Sequence, residues 1–330
     1  MHMTALAAVD AVSPAADALI VYSGPTGGSD KRDSLYAENF RFFLRHGHPC
    51  SWHDDTHDTQ HARRFAIVLV LTNASVRAFD AHVRLAWSRE CAALVATRVA
   101  IRRNRCYDME SARLVLGGSL VGTKYRFIIF LNCGLRGPLL PLRAPPGEYW
   151  ASRITRRLEQ NPRLKLVGLT INCAGKRVRR HGSLTQAHVQ SMLWCTDALG
   201  LAAIVRGGAI YDCGKDGPLS SEQRSALINR YELGMSLHVL QAGYRIGTIT
   251  GIQREYDRAS AFDSICPDVW NQRDLHRRIA AENMTFWKVT RQFPFAVRKH
   301  AALQEKLLQE RLLHGRLKSR HIVLAPGRYK

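Results

Sequence analysis

The sequence predicts an α/β fold in which a mostly parallel, twisted sheet is covered by helices on both faces. Phe65–Leu71 and Phe127–Leu131 are uninterrupted apolar runs of strand length, and such runs are typical of parallel strands that are buried on both faces. Strand and helix patterns also alternate along the chain at the spacing of βαβ crossovers. The two observations together favour a doubly covered sheet with Phe127–Leu131 as a central strand.

The individual elements follow from local signals. Ala18–Ser23 is the first predicted strand, and Leu35–His46 carries apolar residues at helical spacing and ends before Gly47, a suitable helix stop. Asp108 is expected to cap a helix over 108–116. The remaining predicted elements are strands at 94–101 and 164–169 and helices at 189–199 and 228–242.

Composition divides the chain into three parts. Residues 1–17 form an Ala-rich N-terminal tail, residues 18–272 contain the predicted α/β domain, and residues 273–330 form a basic, mainly helical C-terminal extension. Leucines recur at helical spacing in the extension, which predicts a basic amphipathic helix. It could pack its leucines against the domain, lie on an anionic membrane surface, or hold a polyanion such as RNA. RNA is the least supported partner, because no aromatic-interleaved nucleic-acid motif is present.

The charge balance is strongly basic. Lysine and arginine number 48 against 27 aspartates and glutamates, so the net charge is +21, which implies attraction to nucleic acid, anionic membranes or phosphorylated substrates. With 46% hydrophobic residues, the composition is that of an ordinary globular protein. No apolar run is long enough for a transmembrane helix, and the N-terminus lacks the basic region of a secretory signal. A cytoplasmic or peripheral membrane protein is therefore the default expectation.

The sequence gives little support for a metal site. None of the eight cysteines forms a Cys-x-x-Cys pair, which argues against structural zinc; a reduced compartment is the simpler interpretation, with the secretory pathway left open. His53, His57 and His61 could ligate zinc or nickel if they shared a helix face. A surface loop is favoured for them, because no apolar residues hold this stretch as a helix. Glu255–Asp257 has the spacing of an acidic metal motif but fits poorly in position.

The most informative stretch is Tyr125–Pro138, in which the strand Phe127–Leu131 ends abruptly in polar and turn-forming residues. Ligands in open α/β sheets bind beyond the carboxyl ends of the strands, so Asn132 and Arg136 are site candidates. The alternative is a structural junction, because Asn and Gly tolerate unusual backbone angles.

A second stretch, Tyr231–Ile246, reads Tyr-Glu-Leu-Gly-Met-Ser-Leu-His-Val-Leu-Gln-Ala-Gly-Tyr-Arg-Ile. It resembles the Glu-Asp…Leu-Ser…Leu…Ala-Gly-Tyr-Arg-Ile signature of nucleotide-sugar glycosyltransferases with the GT-A fold. Residues 130–141 resemble the Phe-Leu-Asn-Ser-Ser-Val-Arg-Gly-Pro pattern of a divergent set of such enzymes. Residues 103–108 resemble its Asn-x-x-x-Asp stretch, and His188–Met192 resembles its Pro-His-Val-Gln-Ser-Met. The resemblance covers about Ala18 to Ile246.

The resemblance implies a GT-A-like glycosyltransferase domain that moves a sugar from a nucleotide-sugar donor to an acceptor. It places Glu232 where inverting enzymes have the base that deprotonates the acceptor hydroxyl, and His188 and Gln190 on the acceptor side. The residues implied in donor binding are Ser23, Gly24, Asn104, Asp108, Asn132 and Arg136.

One departure from the family concerns the metal. GT-A enzymes usually place Asp-x-Asp after the central strand to hold a divalent cation against the donor diphosphate, whereas this chain has Asn132 and Cys133 there and no Asp-x-Asp anywhere. Neutral Asn and Cys are poor ligands for magnesium or manganese. The enzyme would then be metal-independent, with Arg136 helping to neutralise the diphosphate, or the chain is a non-catalytic relative. A polyanion-binding protein is the third possibility, and it rests on net charge alone.

Overall fold

The computed structural model describes residues 16–27, 31–49, 64–77, 95, 97–116, 124–139, 148–173, 187–210, 219–249, 255–257, 285–288, 302 and 306. The histidines at 53, 57 and 61, most of the N-terminal tail and most of the basic C-terminal extension lie outside these residues. The division into three parts stays a prediction.

Eight strands form the main sheet, in the spatial order β11-β10-β6-β9-β4-β1-β2-β3. Their bounds are β1 Ala18–Ser23, β2 Phe65–Leu71, β3 Thr97–Ile101, β4 Phe127–Asn132, β6 Leu164–Gly168, β9 Leu193–Asp197, β10 Arg245–Thr248 and β11 Glu255–Tyr256. Two short antiparallel pairs lie beside it. They are β5 Leu135–Arg136 with β12 Trp287–Lys288, and β7 Ile171–Cys173 with β8 Ala187–Val189.

The main sheet is mostly parallel. Strands β1, β2, β3 and β4 are joined by parallel pairing, and β10 is parallel to β6. Strand β9 is antiparallel to both β4 and β6, so those two strands share the common direction, and β11 is antiparallel to β10. Strand β4 lies between β1 and β9, which confirms Phe127–Leu131 as a central strand.

Helices cover the two faces of this sheet, with bounds α1 Lys31–His46, α2 Met109–Leu116, α3 Trp150–Gln160, α4 Ala198–Arg206, α5 Ser221–Ile228 and α6 Gly234–Gln241. Alternate residues of the strands enter two separate hydrophobic clusters. On one face Ile20 and Ile129 pack with Phe43 of α1 and Trp150 of α3. The opposite face packs against residues of α2, α4, α5 and α6. The predicted fold class, a mostly parallel α/β sheet with helices on both faces, is confirmed.

Two predicted elements need correction. The helix predicted over 189–199 is wrong, because Leu193–Asp197 is strand β9 and pairs with both β4 and β6. An apolar run of this length suits a buried strand as well as a helix, and the pairing with both neighbouring strands shows that it is a strand. The helix predicted over 228–242 belongs to a longer helical segment from Ser221 to Gln241, interrupted by a π-helical turn at Asn229–Leu233.

None of the helices in the described part of the chain combines the length and the apolar character of a membrane span.

Candidate active site

The site is built around Asn132, the last residue of the central strand β4. Its side-chain nitrogen donates to Asp108 Oδ2 at 2.7 Å, and its Oδ1 accepts from the Gly134 backbone N–H at 3.0 Å. These two bonds fix the amide and attach the residue preceding α2 to the carboxyl end of β4. Asp108 lies immediately before Met109, the first residue of α2, and its carboxylate accepts from Asn132 and from its own backbone N–H.

Ser23 completes this polar group from the neighbouring strand. It ends β1 directly opposite Asn132 in the parallel register, and its Oγ lies 2.7 Å from Ser111 Oγ of α2. Ser23, Asp108 and Asn132, all predicted donor-side residues, therefore lie together at the carboxyl ends of two adjacent strands.

The Asp108 carboxyl has two cations in its surroundings, Arg102 and Lys288. Burial raises the pKa of Asp108 above its ordinary value, although the Asn132 hydrogen bond and the positive charges of Arg102 and Lys288 act in the opposite direction. The charged carboxylate is therefore costly in the folded state, as is typical of functional sites.

A pH-dependent stability change is expected from Asp108→Asn. Because the pKa of Asp108 is raised on folding, its contribution to stability is complete below the unfolded-state pKa of about 3.9 and is lost as pH rises through the folded-state pKa. The amide cannot ionise, and its oxygen can still accept from Asn132. In melts between about pH 4 and pH 8, the melting temperature of the variant should therefore exceed that of the wild type by a margin that grows until the pH passes the folded-state pKa. Thermal melts across this range, with the exposed Glu222→Gln as control, check it; a variant less stable than wild type at pH 8 would contradict it.

The buried Arg102 side chain fixes the loop before α2 by hydrogen bonds. Its guanidinium donates to the carbonyl oxygens of Arg103 at 3.3 Å and Tyr107 at 3.1 Å. Cys106 and Tyr107 have φ of 52° and 53°, a left-handed conformation that is costly for residues other than glycine and is often found at functional sites. Asn104, predicted to bind the donor, lies exposed in this loop.

The described cysteines are not all in the same oxidation state. Cys106 is disulfide-bonded, whereas Cys133 and Cys195 are free and buried. The expected reduced compartment stays a prediction. Burial raises the pKa of Cys133 to about 12, so it remains a neutral thiol beside the site.

Glu232 belongs to the helical segment that runs from Ser221 to Gln241. It lies in the π-helical turn at Asn229–Leu233, and its Oε1 accepts from the Ser191 backbone N–H at 3.2 Å. Glu232 does not lie at the start of a helix, because helical residues precede it from Ser221 onward. π-Helical turns inside helices are frequent at functional sites.

A small pocket lies between the residues around Asn132 and those around Glu232. Its lining residues are Ser23, Asp108, Phe130, Leu131, Ser191, Trp194 and Tyr231. Burial raises the pKa of the Tyr231 phenol, and the charges of Asp108 and Glu232 both raise it further. The Tyr231 phenol therefore feels both carboxylates, Asp108 as a fellow lining residue of the pocket and Glu232 as its neighbour in the chain.

His188 and Gln190 lie on the segment that leads to Ser191. His188 is buried and pairs with Asn172 across β7 and β8, and Gln190 Oε1 accepts from Thr170 Oγ1 at 2.7 Å. The described contact of Gln190 thus supports the local structure, and Ser191 is the residue of this segment that lines the pocket. Their acceptor-side role stays a prediction.

Gly24 has a packing role. Its N–H donates to the Val70 carbonyl at 2.9 Å, and a β-carbon at this position would overlap the Leu71 side chain. Gly24 therefore lets the loop after β1 leave the sheet close against β2, and donor contact by its backbone stays a prediction.

Arg136 lies on the other side of the sheet from Glu232. Its guanidinium is 4.8 Å from the centre of the Phe42 ring and 3.9 Å from Glu38 Oε2, both residues of α1. The structure does not bring Arg136 to the pocket, and its predicted contact with the diphosphate finds no support in these contacts.

The residues present do not fit a divalent cation. Among the described residues, no group of three or more His, Cys, Asp or Glu side chains could hold a metal ion. At the end of β4 the Asp108 carboxylate is bonded to Asn132 and feels the positive charges of Arg102 and Lys288. Two positive charges beside a single carboxylate oppose the binding of a third cation.

The sequence interpretation missed several residues of this site. Ser191 stood within the His188–Met192 motif, and Tyr231 preceded Glu232 directly, but neither was assigned a role. Trp194 was assigned to a helix, and its ring stacks on Phe130 with centroids 4.3 Å apart. Lys288 carried no local signal, because only the chain path brings it to Asp108.

No family model matches the sequence, and no curated protein matches it. Several solved structures are similar, and two of them illustrate the likeness. One is the apo form of the glycosyltransferase GlyE of Streptococcus pneumoniae TIGR4, with 10% identity, a TM-score of 0.31, and 65% of this chain and 42% of that chain covered. The other is the apo form of mouse xyloside xylosyltransferase 1, with 8% identity, a TM-score of 0.36, and 69% and 82% covered. The chain thus spans less than half of the first. Both TM-scores are low, so the activity is inferred from the site residues alone.

Proposed function

We propose that this protein is a glycosyltransferase that moves a sugar from a nucleotide-sugar donor to an acceptor hydroxyl group, with inversion at the anomeric carbon. The observation that carries the proposal is the pocket at the carboxyl end of β4, which has Ser23 and Asp108 on one side and Ser191 and Tyr231 on the other. Glu232 is attached to Ser191 at the second side. A polar donor side and a carboxylate opposite it are what an inverting displacement requires.

The proposed reaction uses Glu232 as the general base. Its carboxylate takes the proton of the acceptor hydroxyl while the acceptor oxygen forms a bond to the anomeric carbon. The bond from that carbon to the β-phosphate oxygen breaks, and the nucleoside diphosphate leaves with the electron pair. The Ser191 N–H orients the carboxylate, and the Asp108–Asn132 pair offers hydrogen-bonding groups to the donor sugar.

The competing functions make different predictions. A non-catalytic relative would bind the donor but release no nucleoside diphosphate. A polyanion-binding protein, which the net charge of +21 favours, would bind generic RNA or DNA with a strong dependence on salt and would ignore nucleotide sugars.

A thermal-shift panel of UDP- and GDP-sugars tests the proposal, with CMP-sugars, which carry a single phosphate, for comparison. A donor present at 100 times its dissociation constant stabilises the native state by about 2.7 kcal/mol, which is a rise of several degrees in the melting temperature. One nucleotide class should give this shift, and the nucleoside alone should give a smaller one. The absence of a shift with every donor at millimolar concentration would contradict the proposal.

Donor binding should persist in EDTA. The position of the usual Asp-x-Asp carries Asn132 and Cys133, and the nearby Asp108 carboxylate already feels the positive charges of Arg102 and Lys288. Titration of the best donor in EDTA and in added manganese should therefore give the same affinity. Loss of binding in EDTA that manganese restores would reveal a metal site elsewhere in the chain.

A further inference from the structure

Residues 285–288 are packed against the loop that follows the central strand. The Leu139 N–H donates to the Thr285 carbonyl at 2.7 Å, and β12 pairs with β5 so that Trp287 lies opposite Arg136 and Lys288 opposite Leu135. The two backbones approach closely at Gly137, where a β-carbon would lie 2.5 Å from the Thr285 oxygen. The segment thus forms one wall of the region just beyond Asn132.

This wall is anchored in the hydrophobic core. Phe286 is 1% exposed, and its ring meets Trp150 edge-on, with centroids 5.0 Å apart. A buried aromatic anchor fixes the residues on either side of it. The packing of Phe286 in the core therefore fixes the backbone position of Lys288.

Lys288 lies where this wall meets the site. Its backbone pairs with Leu135, three residues after Asn132, and its charge acts on the Asp108 carboxyl to which Asn132 donates. Its neighbour Trp287 packs instead with Phe42, as Arg136 does.

We propose that Lys288, assisted by Arg102, binds the diphosphate of the donor and takes the place that a divalent cation holds in metal-dependent sugar transfer. The inference rests on the proposed function and adds a residue and a ligand group to it. With Asp108 the three side chains carry one negative and two positive charges, so the group has an excess positive charge at the carboxyl end of β4. An ammonium group binds phosphate as a point charge, and this one also stabilises the negative charge that develops on the leaving diphosphate.

The test compares a nucleoside diphosphate with its monophosphate. UDP and UMP are titrated into the wild type, Lys288→Gln and Lys288→Arg at one ionic strength, with GDP and GMP used if the donor panel selects guanosine. Lys288→Gln should weaken diphosphate binding roughly ten- to hundredfold, the usual effect of losing a charged hydrogen bond. Monophosphate affinity should change less than about threefold, because the β-phosphate is absent. Lys288→Arg should restore most of the diphosphate affinity.

The matched control is Lys306→Gln, which removes the same charge from an exposed position and should leave both affinities unchanged. Equal losses for diphosphate and monophosphate in Lys288→Gln would assign the residue a structural role and overturn the inference, as would unchanged diphosphate binding. Failure of the wild type to bind either UDP or GDP would instead overturn the proposed function itself. The two failures are therefore distinguishable.

Discussion

Glu232→Gln should lower turnover by about 10²–10⁴-fold, the typical contribution of a general base. The amide keeps the size of the side chain and can still accept the Ser191 N–H, which lies 3.2 Å from Oε1, but it cannot take a proton from the acceptor. Donor affinity should stay close to that of the wild type, because Glu232 lies on the side of the pocket away from Asn132. The loss would then appear in kcat and not in donor binding.

The measurement is release of nucleoside diphosphate from the donor that the thermal-shift panel identifies, with water or an added sugar as acceptor. Glu222→Gln is the matched control, since Glu222 is exposed in the first turn of α5 and should have no effect. Normal turnover in Glu232→Gln would place the base elsewhere, and the resemblance of Tyr231–Ile246 to the glycosyltransferase signature would lose its functional meaning with it.

Trp150→Ala should cause the largest loss of stability. Trp150 is 1% exposed, its indole N–H donates to the Gly47 carbonyl at 2.9 Å, and its ring contacts Phe43 and Phe286. Removing a buried tryptophan costs about 3–5 kcal/mol, which corresponds to a fall of roughly 6–20 °C in the melting temperature.

Trp150→Ala should also weaken diphosphate binding at the site. Without the Trp150 ring, Phe286 loses its edge-on partner, and the wall that carries Lys288 becomes less firmly held. Diphosphate affinity should therefore fall together with the melting temperature, measured well below the transition. Leu199→Ala is the control, because Leu199 is 54% exposed and should change neither quantity. A melting temperature within about 2 °C of the wild type would contradict the assigned packing, since it corresponds to less than about 1 kcal/mol.

The parts of the fold that depend on local pattern could be predicted from the sequence. The apolar run Phe127–Leu131 requires burial on both faces and indicated the central strand, and the polar residue after it, Asn132, lies at the site. Strand β9 could not be predicted in the same way. An apolar run of that length suits a helix or a strand, and antiparallel pairing with β4 and β6 decides between them.

The candidate site was predicted only in part, for two physical reasons. A π-helical turn has no sequence signal of its own, so the position of Glu232 relative to Ser191 had to come from the structure. Charge pairing across distant segments is equally invisible. Arg136, close to Asn132 in sequence, packs on Phe42 of α1, whereas Lys288, far away in sequence, lies beside Asp108 because β12 pairs with β5.

A structure of the protein with the nucleotide sugar that gives the largest thermal shift tests the central claim most directly. The claim predicts the diphosphate within hydrogen-bonding distance of Lys288, the sugar beside Asp108 and Asn132, and the anomeric carbon facing Glu232 across the pocket. A donor bound on the α1 side of the sheet against Arg136, or anywhere away from the carboxyl end of β4, would contradict it.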